Sequence, residues 1–261
     1  MKHRLTKSKG LLIGLVIILS VVFLYAAYQV ISYWRSENKN RQLAEDLIEK
    51  AVIVPAETPE LSHNKAPDTP PPETAPIEVN FEALWQENRD IIAWIYCKDT
   101  PIHYPIVQSA DNSYYLRPLP NGEYNMNGTI FLDYRCEPDF SGFNSIIHGH
   151  HMKSGEMFGM LPKYKEQAYY DEHPVLYLLT PDQDYKVELI AGYITPSDSD
   201  TYALPTTAEE KKTFLEHAVQ ESTFHADVSF SETDTFVTLS TCSYEYETSR
   251  YVVVGKLTKI E

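Results

Sequence analysis

Cysteine is scarce in this chain of 261 residues, because only Cys97, Cys136 and Cys242 are present and none lies in a CxxC pair. A secreted scaffold held together by disulfides carries more cysteines, usually in even number. The sequence therefore excludes that class of protein. It leaves open whether Cys97 and Cys136 are bonded, and it raises the question of whether a leftover thiol reacts.

Metal-ligand patterns and positive charge are scarce as well. The chain has no HExxH motif and no cysteine pair beside its histidines, so we predict no bound metal and no cofactor. Residues 1–43 hold seven basic residues and one acidic residue, which leaves 15 basic and 36 acidic residues, a net charge of −21, in residues 44–261. Such a surface repels nucleic acid, which is therefore not an expected partner.

A long apolar run is present near the N-terminus, over Leu11–Trp34. About 20 such residues span the hydrocarbon layer of a membrane. Basic residues precede the run, and positive flanks stay in the cytoplasm: Lys2, Arg4, Lys7 and Lys9. We predict a single-pass membrane protein with a cytoplasmic N-terminus over residues 1–10, an anchor over residues 11–34 and an extracellular remainder. A cleaved secretory signal is the alternative, but its apolar run would be shorter.

Two connecting segments follow the apolar run. Residues 35–54 carry apolar side chains at helical spacing, which predicts a juxtamembrane helix. Residues 55–76 contain seven of the 17 prolines and are typical of an extended linker. We therefore expect the folded domain to occupy residues 77–261.

Short apolar segments separated by turn residues fill most of that domain. Helices are expected over Asn80–Asn88, over Gly155–Tyr164, and after Thr207, where Thr207 and Glu210 form a capping box. The pattern predicts a mostly β fold, a barrel or sandwich of about eight strands. The candidate strands are Ile91–Cys97, Ile102–Val107, Thr129–Leu132, Ser145–His148, Val175–Leu179, Tyr185–Ile194, Phe236–Thr241 and Tyr251–Leu257.

The segment TLSTCSYEYETSR places Cys242 at the end of one strand and Arg250 at the start of the next. If these strands pair antiparallel, the guanidinium can stabilise a thiolate or an oxyanion that forms during acyl transfer. Ser240 and Thr241 would then line a peptide groove. The alternative is a buried inert cysteine, an arginine paired with Glu245 or Glu247, and ordinary strand packing.

A cysteine nucleophile needs an acid–base partner. Three histidines, His148, His150 and His151, crowd the end of an apolar strand around Gly149. Because the histidines precede the cysteine by about 90 residues, the order differs from that of papain-like proteases. The residues alone do not decide which of the three histidines would act.

Five ordered segments resemble class B sortases, the cysteine transpeptidases on the surface of Gram-positive bacteria. TLSTC followed by Arg250 resembles the sortase signature, and HGHHMKSGEMFGML is similar to the YGHxMxxGxMFxxL block of class B. The other three segments are NRDIIAWI, IHYPIVQSADNSYYL and GTIFLDY. The resemblance covers about residues 80–259. His148 departs from it, because the family often has tyrosine there.

The resemblance implies a closed eight-stranded sortase barrel with N-terminal helices and one helix before the penultimate strand. It implies His150, Cys242 and Arg250 as catalytic residues. It also implies that a C-terminal sorting pentapeptide of a surface protein is cut after threonine, held as a thioester on Cys242 and transferred to a cell-wall amine. A pilin-polymerising sortase and a thiol hydrolase that uses water remain the alternatives.

Overall fold

The computed structural model describes residues 2–54 and 73–260. Contacts between residues divide the chain into two compact units, Met1–Leu43 and Ala44–Glu261. Most of the predicted linker over residues 55–76 lies outside the described residues, because the described part stops at residue 54 and resumes at residue 73.

The described residues of the first unit lie within one long helix, α1 (Lys2–Ala51). This helix contains an 18-residue window with a mean hydropathy of 2.3, no part of which is buried. Among the described residues it is the one helix that is long and apolar enough to cross a membrane. It continues without a break through the segment predicted as a separate juxtamembrane helix and ends at Ala51.

The second unit begins with a small sheet and is built around a barrel. Strands β1 (Val52–Ile53) and β2 (Glu78–Val79) form the small antiparallel sheet. The barrel strands are β3 (Ile91–Tyr96), β4 (His103–Val107), β5 (Phe131–Leu132), β6 (Asn144–His148), β7 (Val175–Leu179), β8 (Asp184–Pro196), β9 (Thr235–Cys242) and β10 (Ser249–Ile260).

These eight strands close in the order β10-β8-β7-β3-β4-β5-β6-β9, and β9 pairs with β10. The pairs β4–β5 and β6–β9 are parallel, and the other pairs of the barrel are antiparallel. The predicted closed eight-stranded barrel is therefore confirmed. Closure leaves the barrel without an unpaired edge.

Alternation along β9 separates two packed surfaces. Val237 and Leu239 belong to the large core cluster inside the barrel. Phe236 lies on the other face and packs with Phe214 and Leu215 of the helix α4 (Ala208–Glu221). On this outer face, Phe236 is fully buried, whereas Cys242 at the end of the strand is partly exposed to solvent.

Two helix caps agree with the sequence analysis. Asn80 caps α2 (Phe81–Leu84) by accepting a hydrogen bond from the Ala83 amide at 3.1 Å, although the helix is shorter than predicted. Thr207 and Glu210 form the predicted capping box of α4, which precedes the penultimate strand β9. A further short helix, α3 (Gln167–Glu172), was not predicted.

The helix predicted over Gly155–Tyr164 is wrong. Gly155 and Met157 have positive φ angles of 84° and 51°, which an α-helix does not allow. Only the 3₁₀ turn Leu161–Lys165 is helical in this region. Met157 and Phe158 of this segment are buried in the barrel core.

Candidate active site

A cleft of about 230 Å³ opens where β6 and β9 end and β10 begins, beside the long segment between β4 and β5. The five residues predicted for the site all line it: His150, Ser240, Thr241, Cys242 and Arg250. The remaining lining residues are Asn112, Tyr115, Leu116, Asn127, Thr129, Phe131, His148 and Gly149. The fold therefore brings together side chains that lie far apart in the sequence.

Cys242 and Arg250 are directly opposed partners in the antiparallel β9–β10 pair. Opposed residues point to the same face of a sheet, with Cβ atoms about 5 Å apart. Cys242 is a free, partly exposed thiol. Arg250 donates from Nη1 to the carbonyl oxygens of Ser249 at 3.0 Å and Thr248 at 3.3 Å.

The acidic residues of the intervening turn do not compete strongly for Arg250. Glu245 forms its ion pair with Lys165 instead. The pairing of Arg250 with Glu245, which the sequence had left open, is therefore replaced by another pair. Within residues 2–54 and 73–260, Arg250 bonds through Nη1 alone, so Nε and Nη2 can donate to a substrate in the cleft.

His150 follows the end of β6, the parallel neighbour of β9, and lines the same cleft. Its side chain is exposed. Desolvation by neighbouring protein atoms lowers the pKa of His150 below its ordinary value of 6.5, and the charges of His151 and Arg117 lower it further. A neutral imidazole is thereby favoured at neutral pH, and it can accept a proton.

The other two histidines are held by different partners. His151 Nδ1 lies 2.6 Å from the carbonyl oxygen of Cys242, so this nitrogen carries the hydrogen and donates it. His151 also packs edge-on against Tyr244, with ring centroids 5.0 Å apart. His148 Nε2 lies 3.4 Å from Oδ2 of Asp133. Of the three, His150 is therefore the histidine that lines the cleft without a hydrogen bond in the described structure.

Asp133 directly follows β5 and supports the wall of the cleft, because it binds the lining residues Asn112 and His148. It is 1 % exposed, and Arg135 binds it through Nε at 2.9 Å and Nη2 at 2.8 Å. Asn112 donates to it at 2.9 Å. Burial by itself would raise the pKa of Asp133, but hydrogen bonds from Arg135, His148 and Asn112 outweigh burial and hold the pKa far below its ordinary value.

Ser240 and Thr241 are buried and already hydrogen-bonded. The Ser240 hydroxyl lies 2.7 Å from the hydroxyl of Tyr202, and the Thr241 hydroxyl donates to the Gly149 carbonyl at 2.9 Å. Gly149 itself has to be glycine because a Cβ there would lie 2.4 Å from the ring of Phe158. Both hydroxyls thus brace the cleft, and the substrate-binding role predicted for them stays a prediction.

The other two cysteines lie apart from this site. Cys97 and Cys136 are free and buried in the barrel core. Burial raises the pKa of the Cys97 thiol, and burial raises the pKa of Cys136 to about 11. Thiols with raised pKa values are poor nucleophiles at neutral pH.

The sequence analysis missed three residues that shape the cleft: Asn127, Asp133 and Tyr202. Asp133 could have been noticed as a carboxylate that directly follows an apolar strand. Tyr202 stacks on His148 with an interplanar angle of 17° and bonds the Ser240 hydroxyl, so it contacts two cleft residues from a segment that carried no signal.

Comparison with known proteins places this geometry in a family. A model of the sortase domain matches residues 95–258, which is more than half of the chain. The chain belongs to the sortase family. Its predicted eight-stranded barrel and its cysteine transpeptidase activity are those of a sortase.

Two relatives narrow the assignment to class B. Sortase B of Listeria monocytogenes is 39 % identical over 179 residues, which cover 67 % of this chain and 72 % of that protein. Sortase B of Staphylococcus aureus is 27 % identical over 248 residues, which cover 94 % of this chain and 95 % of that protein. The resemblance to class B sortases is therefore confirmed.

Solved structures agree with this assignment. Sortase B from Bacillus anthracis in complex with AAEK1 has a TM-score of 0.69 and 33 % identity, covering 87 % of this chain and 99 % of that one. The Staphylococcus aureus sortase B–substrate complex has a TM-score of 0.66 and 30 % identity, covering 69 % of this chain and 85 % of that one.

Proposed function

We propose that this sortase cleaves a C-terminal sorting signal of surface proteins after threonine, holds the protein as a thioester on Cys242, and transfers it to a cell-wall amine. One observation carries the proposal: Cys242 and Arg250 occupy opposed register positions at a cleft that His150 also lines. A thiol, a cation and an imidazole on one cleft are the groups that acyl transfer through a thioester requires.

The proposed chemistry assigns one task to each group. His150 accepts the proton of the Cys242 thiol, and the sulfur attacks the threonyl carbonyl carbon. Arg250 donates hydrogen bonds to the oxyanion, and His150 returns the proton to the departing amine. An incoming amine then attacks the thioester, gives its proton to His150, and releases the Cys242 sulfur.

The amine acceptor and the location are also part of the proposal. A structure of sortase B complexed with triglycine supports an amine as the second substrate. We propose that residues 1–10 are cytoplasmic, that residues 11–34 anchor the chain, and that residues 35–54 and the linker over residues 55–76 hold the catalytic domain of residues 77–261 outside the cell. The apolar helix α1 supports this arrangement.

A peptide library tests the reaction. The full-length protein in detergent micelles is incubated with X-X-X-Thr-Gly and X-X-X-Thr-Asn pentapeptides, either alone, with triglycine, or with triglycine and a lysine-containing peptide together, and the products are identified by mass. We expect cleavage after threonine and a triglycine adduct. Water as the only acceptor would support the thiol hydrolase, and preferential transfer to a lysine peptide would support the pilin-polymerising sortase.

Variants test the residues. Cys242→Ala is expected to abolish product, and Arg250→Ala is expected to lower the rate by about 10²–10³ through loss of an oxyanion donor. Cys136→Ala and Arg89→Ala are the matched controls, because neither residue lines the cleft. Cleavage at the wild-type rate by Cys242→Ala would refute the proposal.

A further inference from the structure

Asn127 is an unusual member of the cleft, because its side chain is buried and lacks a hydrogen-bond partner. The residue is 5 % exposed, and its Nδ2 has no partner among the described residues. Three other buried side-chain atoms share this property, Asn144 Nδ2, Ser145 Oγ and Ser243 Oγ. None of those three residues lines the cleft, whereas Asn127 does.

The other polar side chains of the cleft wall are already engaged. Asn112 donates from Nδ2 to Asp133 and accepts at Oδ1 from the amide of Tyr134. The Thr129 hydroxyl donates to the Pro118 carbonyl at 2.8 Å. Ser240, Thr241 and His148 have the partners described above. Apart from the proposed reacting groups, the amide of Asn127 is the one polar group of the described wall left over.

The backbone holds Asn127 in place on both sides. The backbone N–H of Asn127 donates to Asn125 Oδ1 at 2.9 Å. Two residues later, the backbone N–H of Thr129 donates to the Tyr115 carbonyl at 3.0 Å. Gly128 between them has a φ of 62° and touches the backbone of Tyr115 and Leu116 so closely that a Cβ would lie 2.4 Å from an oxygen. The unpaired amide therefore sits on a fixed support.

We propose that the side-chain amide of Asn127 binds an amide group of the sorting peptide and so contributes to substrate selection. The inference rests on the proposed function, because it takes the cleft to hold that peptide. A buried polar group without a partner is costly, and a ligand that supplies the partner recovers this cost. Binding pockets commonly fix their ligands through a few such polar groups.

The contact requires a small movement of the side chain. Nδ2 is covered by protein in the unliganded chain, but the χ2 torsion of asparagine has a broad, roughly two-fold profile. A partial rotation can turn both ends of the amide toward the cleft, so Asn127 can present a donor and an acceptor together. An amide can satisfy both, whether it comes from the peptide backbone or from an Asn or Gln side chain.

Two substitutions and one control test the proposal in the library assay described above. Asn127→Leu keeps a similar volume without polar atoms, and Asn127→Ala serves if leucine does not fit. Asn121→Ala is the control on the same segment, because Asn121 does not line the cleft and its Oδ1 accepts from the amide of Glu123 at 3.0 Å. We expect Asn121→Ala to leave the reaction with peptides unchanged. We expect Asn127→Leu to keep the melting temperature and weaken the reaction with peptides.

The size and pattern of the loss identify the amide. Loss of one hydrogen bond is expected to lower kcat/KM about tenfold, which corresponds to roughly 1.4 kcal/mol. If the partner is an Asn or Gln side chain, the variant loses the wild-type preference at one library position only. If the partner is the backbone, kcat/KM falls equally for all peptides.

Failure of this inference can be told from failure of the proposed function. If the wild-type protein yields no Cys242-dependent product from any peptide, the proposed function fails and the role of Asn127 with it. If the wild type is active and the folded Asn127 variants match it in both kcat/KM and preference, only the role of Asn127 is overturned.

Discussion

Replacement of Asp133 by asparagine is expected to lower the stability of the barrel domain strongly. Asp133 is 1 % exposed and accepts hydrogen bonds from Arg135, Asn112 and His148. In Asp133→Asn the charge is lost, and an NH₂ group has to face donors on at least one side. The change therefore leaves Arg135 without its counter-ion and leaves donors unpaired.

The expected magnitude follows from the burial of the two partners. Removing one member of a buried ion pair costs about 3–5 kcal/mol. The side chain of Arg135 is 39 % exposed and can regain water, so the low end, about 3 kcal/mol, applies. For a domain of this size that loss lowers the melting temperature by roughly 6–12 °C.

The pH dependence has a definite sign. The pKa of Asp133 is lowered in the folded state from its ordinary value of 3.8. A lowered pKa stabilises the folded state at any pH above the unfolded value, and this stabilisation is lost as the pH falls toward the folded value. The stability difference between wild type and Asp133→Asn should thus be constant from about pH 6 to pH 8 and should shrink below about pH 4.

Thermal unfolding of the full-length protein, followed by tryptophan fluorescence at several pH values, measures this difference. Glu137→Gln is the matched control, because it removes one exposed carboxylate charge from the same segment. We expect the control to melt within about 2 °C of the wild type, as most surface substitutions do. Equal melting temperatures for Asp133→Asn and Glu137→Gln would refute the reasoning.

Two further predictions concern the segments that carry the cleft. Gly128→Ala should cost about 2 kcal/mol, because Gly128 has a φ of 62° and its Cβ would collide with backbone, whereas Gly142→Ala meets open space and should melt as wild type. His151→Phe should lower kcat/KM about tenfold through loss of the bond to the Cys242 carbonyl, and His151→Asn, which keeps a donor, should recover activity. Both His151 variants should raise the pKa of His150 in the pH profile, since the charge of His151 lowers it; an unchanged profile and rate would contradict this role.

Strand positions were largely predictable from the sequence because short apolar segments bounded by turn residues coincide with buried strands. Val175–Leu179 was predicted with its observed bounds, and β6 and β9 began one residue earlier than expected. The last strand was predicted as Tyr251–Leu257 but runs over Ser249–Ile260. The ends of this strand are set by β8, which pairs with it over its whole length. The sequence of the last strand alone does not reveal how far its partner extends.

The candidate site was predictable only in part. Cys242 and Arg250 lie near each other in sequence, so a hairpin sufficed to predict that they meet. The three histidines differ in what they touch, and those contacts depend on Cys242 and Asp133, which reach them through tertiary folding. Asn127 was missed because an unpaired amide becomes visible only once the neighbours of every polar atom are known.

Cys242 and Arg250 point to the same face of the sheet because the register of β9 and β10 pairs them directly. Side chains on a strand alternate between two faces, so a shift by one residue in either β9 or β10 would turn the sulfur or the guanidinium away from the other. The register is also held from both sides, because β9 pairs with β6 and β10 pairs with β8. Substitutions that keep the length of the six-residue turn between the two strands can therefore change its charge while Cys242 and Arg250 stay opposed.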